Sequence, residues 1–290
     1  MENRNDKYCE AALSAVMSRR DFSRLSGFIH AECGIKMPDS KKIMLEARLR
    51  KRLRVLGIKS FKEYCDYVFS PDGEGELVHM IDAVTTNKTD FFREPRHFYY
   101  LIQTALPELI NTSEAGIRRK LMVWSAGCST GEEPYTLAMV LSEFAERCHG
   151  FHYLILATDI STRVLEKAKL GIYEEDLVEP VPAALKNKYL LRSKDKNRRL
   201  VRIVPELRNL VKFRRLNFME NDFGFREMID IIFCRNVIIY FDRQTQKKLL
   251  NRFCRHLTSG GYIFMGHSET LHGFNLPLLP VSPSIYRKNI

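Results

Sequence analysis

What the 290-residue chain lacks narrows it first. It has no run of about 18 apolar residues with which to span a bilayer. The segment Met1 to Glu10 is too polar for a secretory signal, so a cytoplasmic protein is expected. Cysteines stand at positions 9, 33, 65, 128, 148, 234 and 254, an odd number, scattered and never in a C-x-x-C pair. That usage favours neither a disulfide framework nor a zinc site, and reduced thiols are expected. No nucleophile–base–acid triad and no metal-ligand spacing stands out.

What is present is a globular composition, 45% hydrophobic and 28% charged, in a chain long enough for a sizeable core and two domains. The net charge is +11, unevenly spread. Arg192 to Arg215 holds ten basic residues (192, 194, 196, 198, 199, 202, 208, 212, 214, 215) against Asp195 and Glu206, a net +8. Such a patch suits an anionic partner, phosphate or a carboxylate-rich protein surface, or else is a solvated charged hairpin.

The chain is organised around Lys120 to Leu141. A short apolar run (Leu121, Met122, Val123, Trp124) meets Gly127 and Gly131, and an apolar-periodic segment through Leu137, Val140 and Leu141 follows. The pattern predicts strand, tight turn and helix, with Pro134 just inside the helix start. Glycines there allow close backbone approach to a ligand, or close helix-to-sheet packing. The pair Glu132–Glu133 repels a phosphate but suits an ammonium.

Upstream, residues 18 to 84 read as a helical bundle. Phe22, Leu25, Phe28 and Ile29 mark one buried face, and Leu45, Leu49, Leu53 and Leu56 another, beyond a turn at Gly34 to Pro38. Lys41, Arg48 and Arg52 fall on one line of that second helix, with Arg50, Lys51 and Arg54 around the back. Helices at Phe61 to Phe69 and Leu77 to Val84 flank a turn at 70 to 75. The polar stretch Thr85 to Pro95, with two adjacent phenylalanines and an arginine, is a candidate site loop before a helix at His97 to Leu101.

Downstream, Phe151 to Ile160 predicts a second strand ending in Asp159, placed either to accept ribose hydroxyls or to cap the next helix, a role open also to Ser161 and Thr162. Ile229 to Phe233 predicts a buried strand running into a polar turn at Cys234 to Asn236, then Tyr240. A helix at Gln244 to His256 and strands at Tyr262 to Gly266 and Ser284 to Lys288 follow. A basic unit from 173 to 218, with strands at Leu200 to Val204 and Val211 to Arg215, is expected as an insert.

Five segments in order, 85 to 94 (TTNKTDFFRE), 127 to 135 (GCSTGEEPY), 157 to 160 (ATDI), 233 to 241 (FCRNVIIYF) and 266 to 269 (GHSE), together resemble the chemotaxis receptor protein-glutamate O-methyltransferases, the CheR family. The resemblance covers nearly the whole chain. It implies a doubly wound, Rossmann-like α/β methyltransferase domain (97 to 290) with a small antiparallel β-subdomain inserted, preceded by an all-α domain (1 to 84) and a linker (85 to 96) that adds to the cofactor site. It implies S-adenosylmethionine as methyl donor, S-adenosylhomocysteine as product, no metal, and glutamates on cytoplasmic chemoreceptor helices as substrate. A monomer with neither nucleic-acid nor membrane-inserted partner is implied as well.

Carried over by position, the cofactor contacts fall on Asn87, Thr89, Arg93, Glu133, Asp159, Asn217, Phe218, Cys234 and Arg235. Glu133 would take the amino end and Asp159 the ribose, while Arg93 offers charge to a carboxylate and Tyr240 sits near the transferred methyl. Lys41, Arg48 and Arg52 would meet the acidic receptor helices. The loop 192 to 199 has no glycine where some members carry one in the loop that grips a receptor tether, so that contact is not implied.

Three other readings are weaker. An amino-group nucleic-acid methyltransferase would carry an Asp/Asn-Pro-Pro-aromatic turn where this chain has Cys-Arg-Asn-Val. A non-catalytic scaffold would not need every matched polar position. A dehydrogenase would need the third glycine of G-x-G-x-x-G, absent after Gly127.

Overall fold

The computed structural model describes residues 16–195 and 197–289. Residues Met1 to Glu10, Cys9 and Lys196, named above, lie outside the described residues. The chain divides into two compact units, one of residues 1–86 with Tyr240–Asp242, the other of 87–239 with 243–290.

In the first unit, apolar periodicity produces helices Arg19–Cys33, Lys42–Leu56, Phe61–Val68 and Glu74–Val84. Ser18 caps the first by accepting the Asp21 N–H at 3.1 Å, and Gly34, in the left-handed region at φ +72°, ends it. Phe22, Leu25, Ile29, Leu45, Leu49, Leu53, Phe61, Tyr64 and Met80 form its core. Phe28 and Leu56 are only partly buried against it. The turn expected at 70 to 75 is a single 3-10 turn, Pro71–Gly73.

Two residues of the Lys41–Arg48–Arg52 line have partners within this unit. Arg52 forks onto Glu76, Nε at 2.8 Å and Nη2 at 2.6 Å, and Glu76 also accepts from Tyr64 at 3.0 Å. Arg48 donates to the Val84 and Thr85 carbonyls and to Thr86 Oγ1. Arg52 therefore holds the first turn of the helix Glu74–Val84 and Arg48 its last. Lys51 and Arg54, expected around the back, are the exposed basic groups of that helix.

The late segment Tyr240–Asp242 completes this unit. Ile35 and Phe241 form an antiparallel bridge, Lys36 N–H donates to the Tyr240 carbonyl at 2.8 Å, and His30 Nε2 lies 2.5 Å from the Asp242 carboxylate.

Among the described residues the second unit contains ten strands: β1 (Leu121–Ala126), β2 (Tyr153–Asp159), β3 (Ile172–Glu174), β4 (Leu190–Arg192), β5 (Leu200–Ile203), β6 (Val211–Arg215), β7 (Ile229–Cys234), β8 (Leu257–Met265), β9 (Leu278–Ser282) and β10 (Ile285–Lys288). Seven form one sheet in the order β6-β2-β1-β7-β8-β10-β9. The first five run parallel, and β10 and β9 add an antiparallel margin. Every residue of β1 and β7 is buried, as apolar runs covered on both faces require. From β1 the chain steps one way to β2 and β6, then returns on the other side to β7 and β8. The switch point thus lies between β1 and β7, where open α/β sheets bind ligands beyond their carboxyl ends.

The second small sheet, β3-β5-β4, is antiparallel, as the inserted subdomain predicts. Val211–Arg215 is a correction, because this strand pairs in parallel with β2 at the margin of the main sheet. The basic stretch is thereby split between two sheets, and several of its arginines already have partners. Arg199 lies 2.8 Å from Asp176, and Arg215 donates to the Ile160 carbonyl at 3.2 Å. The helix expected at 97 to 101 is longer, running from Arg96–Tyr100 through a π-helical segment, Leu101–Ala105, into Leu106–Ser113. Among the described residues no helix is long and apolar enough to cross a membrane, and the six described cysteines are free thiols.

Candidate active site

The carboxyl ends of β1, β2 and β7 converge on the turn Gly127 to Gly131. Gly127 and Cys128 both donate N–H to the Thr158 carbonyl, at 2.8 and 2.9 Å, which clamps the turn onto β2. Gly127 (φ +85°) and Gly131 (φ +100°) occupy the left-handed region; an added Cβ would stand 2.6 Å from Val237 Cγ2 and 2.8 Å from Tyr173 Oη, respectively. Their small size therefore serves packing within the unit as well as backbone freedom.

Asp159, at the end of β2, is buried, and its two oxygens accept separate backbone hydrogen bonds, from Ser129 and Ser161, each at 2.9 Å. Ser161 itself caps the helix Thr162–Leu170 by accepting Val164 N–H.

Glu133 and Arg235 form the other fixed pair. Ser125, on β1, donates to Glu133 Oε1 at 2.7 Å, and Arg235 Nε donates to Oε2 at 2.7 Å. The Arg235 side chain is 2% exposed, sandwiched near the rings of Phe98 and Phe233 at 5.3 and 5.6 Å. Its other arm donates to the Arg93 carbonyl and lies 3.7 Å from Glu94 Oε2. Arg235 is thus a brace between β7 and the 85–95 loop. Glu132, by contrast, turns to the Thr130 hydroxyl at 2.7 Å, and burial raises its pKa above the ordinary carboxylate range.

The 85–95 loop is well anchored. The Ser129 hydroxyl donates to the Asn87 carbonyl at 2.9 Å, Phe92 N–H to Thr136 Oγ1 at 3.2 Å, and Phe91 packs edge-on to Tyr173 at 5.0 Å. Phe92 and Glu94 sit at φ +53° and +54°, which side chains rarely adopt and which surrounding contacts must hold. Thr89 lies half-buried in this loop, and Arg93, also half-buried, reaches back to the Lys88 carbonyl at 3.4 Å. Asn217 follows β6, where Leu216 N–H donates to the Asp159 carbonyl at 3.0 Å. Phe218 packs on Trp124 and Phe253, and its carbonyl accepts from Arg252 at 2.7 Å. Cys234 is fully buried at the end of β7, and burial pushes its thiol well above the ordinary value, which excludes a resting thiolate nucleophile. Tyr240 is described with the helical unit, where the Lys41 ammonium lies 5.7 Å from its ring centroid.

Ser129 and Glu269 stand in the segments 127–135 and 266–269 without a role read from sequence, and Ser125 and the buried His97 were not singled out. Burial, then Arg235 and His267, lower the His97 pKa to about 3, so the 3.4 Å approach of its Nδ1 to Glu94 is not an ion pair at neutral pH. Glu94, His97 and His267 bring potential ligand atoms within 4.8 Å of one another. The guanidinium beside Glu94 already supplies the positive charge there and would repel a divalent ion.

The polar groups at the strand ends fit S-adenosylmethionine. They are dominated by acceptors: Asp159, Glu133, and Asn236 Oδ1, which is buried without a hydrogen-bond partner. Ribose hydroxyls and an ammonium are donors, whereas a phosphate would face two carboxylates.

The comparisons with known proteins agree. The family model described as CheR methyltransferase, SAM binding domain, matches residues 87–282, and that described as CheR methyltransferase, all-alpha domain, matches 20–85. The chain is 41% identical to the chemotaxis protein methyltransferase of Borreliella burgdorferi, over 96% of this chain and 97% of that one. It is 41% identical to chemotaxis protein methyltransferase 2 of Pseudomonas aeruginosa, over 87% of each chain. To the Escherichia coli chemotaxis protein methyltransferase it is 39% identical, over 88% of this chain and 85% of that one. With both units matched in order and the strand ends carrying the acceptors such a cofactor needs, the chain belongs to the CheR methyltransferase family.

Proposed function

We propose that this protein transfers a methyl group from S-adenosylmethionine to glutamate side chains on cytoplasmic chemoreceptor helices, forming methyl esters. Membership of the family makes it an S-adenosylmethionine-dependent methyltransferase of chemotaxis; the glutamate and the receptor are our reading. The observation that carries it is the acceptor set at the switch point, Asp159 and Glu133, fixed by Ser129, Ser161, Ser125 and Arg235.

In this reading Asp159 takes the ribose hydroxyls and Glu133 the ammonium, with Asn87, Thr89, Asn217, Phe218 and Cys234 lining the site. S-adenosylmethionine, when bound, supplies a methyl group activated on a sulfonium. A glutamate side chain, with a reference pKa of about 4.3, is ionised at neutral pH and needs no general base. The protein's work is therefore to orient the carboxylate and exclude water, which can contribute up to roughly 7–11 kcal/mol. Arg93 has donors to spare for a carboxylate, and Tyr240 orients the reacting groups. The helical unit docks the receptor through exposed Lys51 and Arg54, with Lys41 nearby in its chain.

The test is incubation with methyl-labelled S-adenosylmethionine and receptor cytoplasmic fragments. Label released by mild base as methanol supports a glutamate ester; label stable to base, or carried by nucleic acid, defeats the reading.

A further inference from the structure

The loop after β7 carries Arg235 and Asn236 and leads into Tyr240, yet it has an irregular backbone with Asn236 at φ +60°. Irregular buried backbone needs partners for its N–H groups, and a strained residue needs its surroundings to hold it. Here one side chain provides both. Glu269 is 5% exposed, and its Oε2 accepts from Asn236 N–H and Gly266 N–H, both at 2.7 Å. Its Oε1 accepts from Val237 N–H at 2.8 Å and Ile239 N–H at 3.3 Å. Four backbone donors converge on one carboxylate. Gly266 makes the approach possible, since a Cβ there would meet Asn236 N and Glu269 Oε2, each at 2.9 Å. Arg235, at the head of the same loop, is held by Glu133.

We infer that Glu269 is a positioning residue for methyl transfer, holding the 235–239 loop by its backbone so that Arg235 and Asn236 are kept in a reactive arrangement. The inference rests on the function proposed above. Glu269 touches neither cofactor nor substrate in this role. A carboxylate has the four lone-pair sites the four donors require, whereas a carboxamide offers one acceptor oxygen and turns an NH2 toward two of them.

The experiment compares Glu269→Gln and Glu269→Ala with wild type by thermal melting, amide hydrogen exchange, S-adenosylhomocysteine calorimetry and receptor-fragment kinetics. Glu269→Gln is expected to fold, to lose exchange protection at Val237 and Ile239 or at Asn236 and Gly266, and to lower kcat about 10- to 100-fold while the receptor KM changes less than about twofold. Glu269→Ala is expected to be worse in each respect; should it not fold, Glu269→Gln alone decides. A Glu269→Gln kcat within about twofold of wild type, or a loss that only follows the unfolded fraction, overturns the proposal. Failure of wild type to esterify receptors, with loop protection still dependent on Glu269, sinks the methylation reading instead.

Discussion

Arg235 sits where three demands meet: the charge of Glu133, the carbonyl of Arg93 and the faces of two phenylalanines. Removing one partner of a buried pair leaves the other charge uncompensated, at about 3–5 kcal/mol. Arg235→Ala should therefore lower the denaturation midpoint and weaken S-adenosylhomocysteine binding together, as melting and calorimetry would show. Glu133→Gln should be milder in stability but not in binding. His97 gives a pH signature. An unfolded chain protonates this histidine near 6.5, whereas the folded protein refuses the proton until about 3. Between those values the unfolded state binds more protons, so stability rises with pH, by at most about 1.4 kcal/mol per unit, and this contribution is flat above 6.5. Urea midpoints measured from pH 4 to 7 should be less pH-dependent in His97→Phe than in wild type; parallel curves would remove His97 from the account. That Asp159, Glu133 and Arg235 stand together was legible in the sequence: Asp159 and Arg235 follow apolar runs that end as strands, and Glu133 opens the helix after the glycine turn. The segment 266–269 was visible as a motif but the contacts of Glu269 were not, since its partners are backbone N–H groups up to 33 residues away, and backbone donors leave no mark on residue identity.

At the scale of elements, the strand–turn–helix through Gly127 and the capping role open to Ser161 were readable from local pattern alone. Val211–Arg215 was misplaced because it follows β5 closely in sequence, whereas its partner is β2, some fifty residues earlier, joined in parallel. Local periodicity cannot report such a pairing. The same limit hid the partners of the helix Lys42–Leu56: spacing puts Arg48 and Arg52 on one line without saying what each will meet. Their contacts make a separable prediction. Arg52→Ala should destabilise the helical unit by about 3 kcal/mol or more, because Glu76 is left buried, and affect receptor KM only through folding. Lys51→Glu with Arg54→Glu should leave the melting curve near wild type and raise the receptor KM several-fold. If the KM is unchanged, the receptor meets another face.

For the whole molecule, a net charge of +11 matters most at a distance. With the acidic receptor helices of the proposed function as partner, that charge would steer encounter, and steering fades as the screening length shrinks to about 8 Å at physiological salt. Receptor kcat/KM should therefore fall with added sodium chloride while S-adenosylhomocysteine affinity changes little. A salt-insensitive kcat/KM would argue that contact, not charge, brings the two together. The return of Tyr240–Asp242 to the helical unit has its own outcome during biosynthesis. Ile35 and Lys36 find their strand partners, and His30 its carboxylate, only after residue 242 leaves the ribosome. The helices made first thus stay unsealed until that late segment emerges, and a nascent chain or fragment stopped at residue 86 would carry an open seam that the finished protein closes.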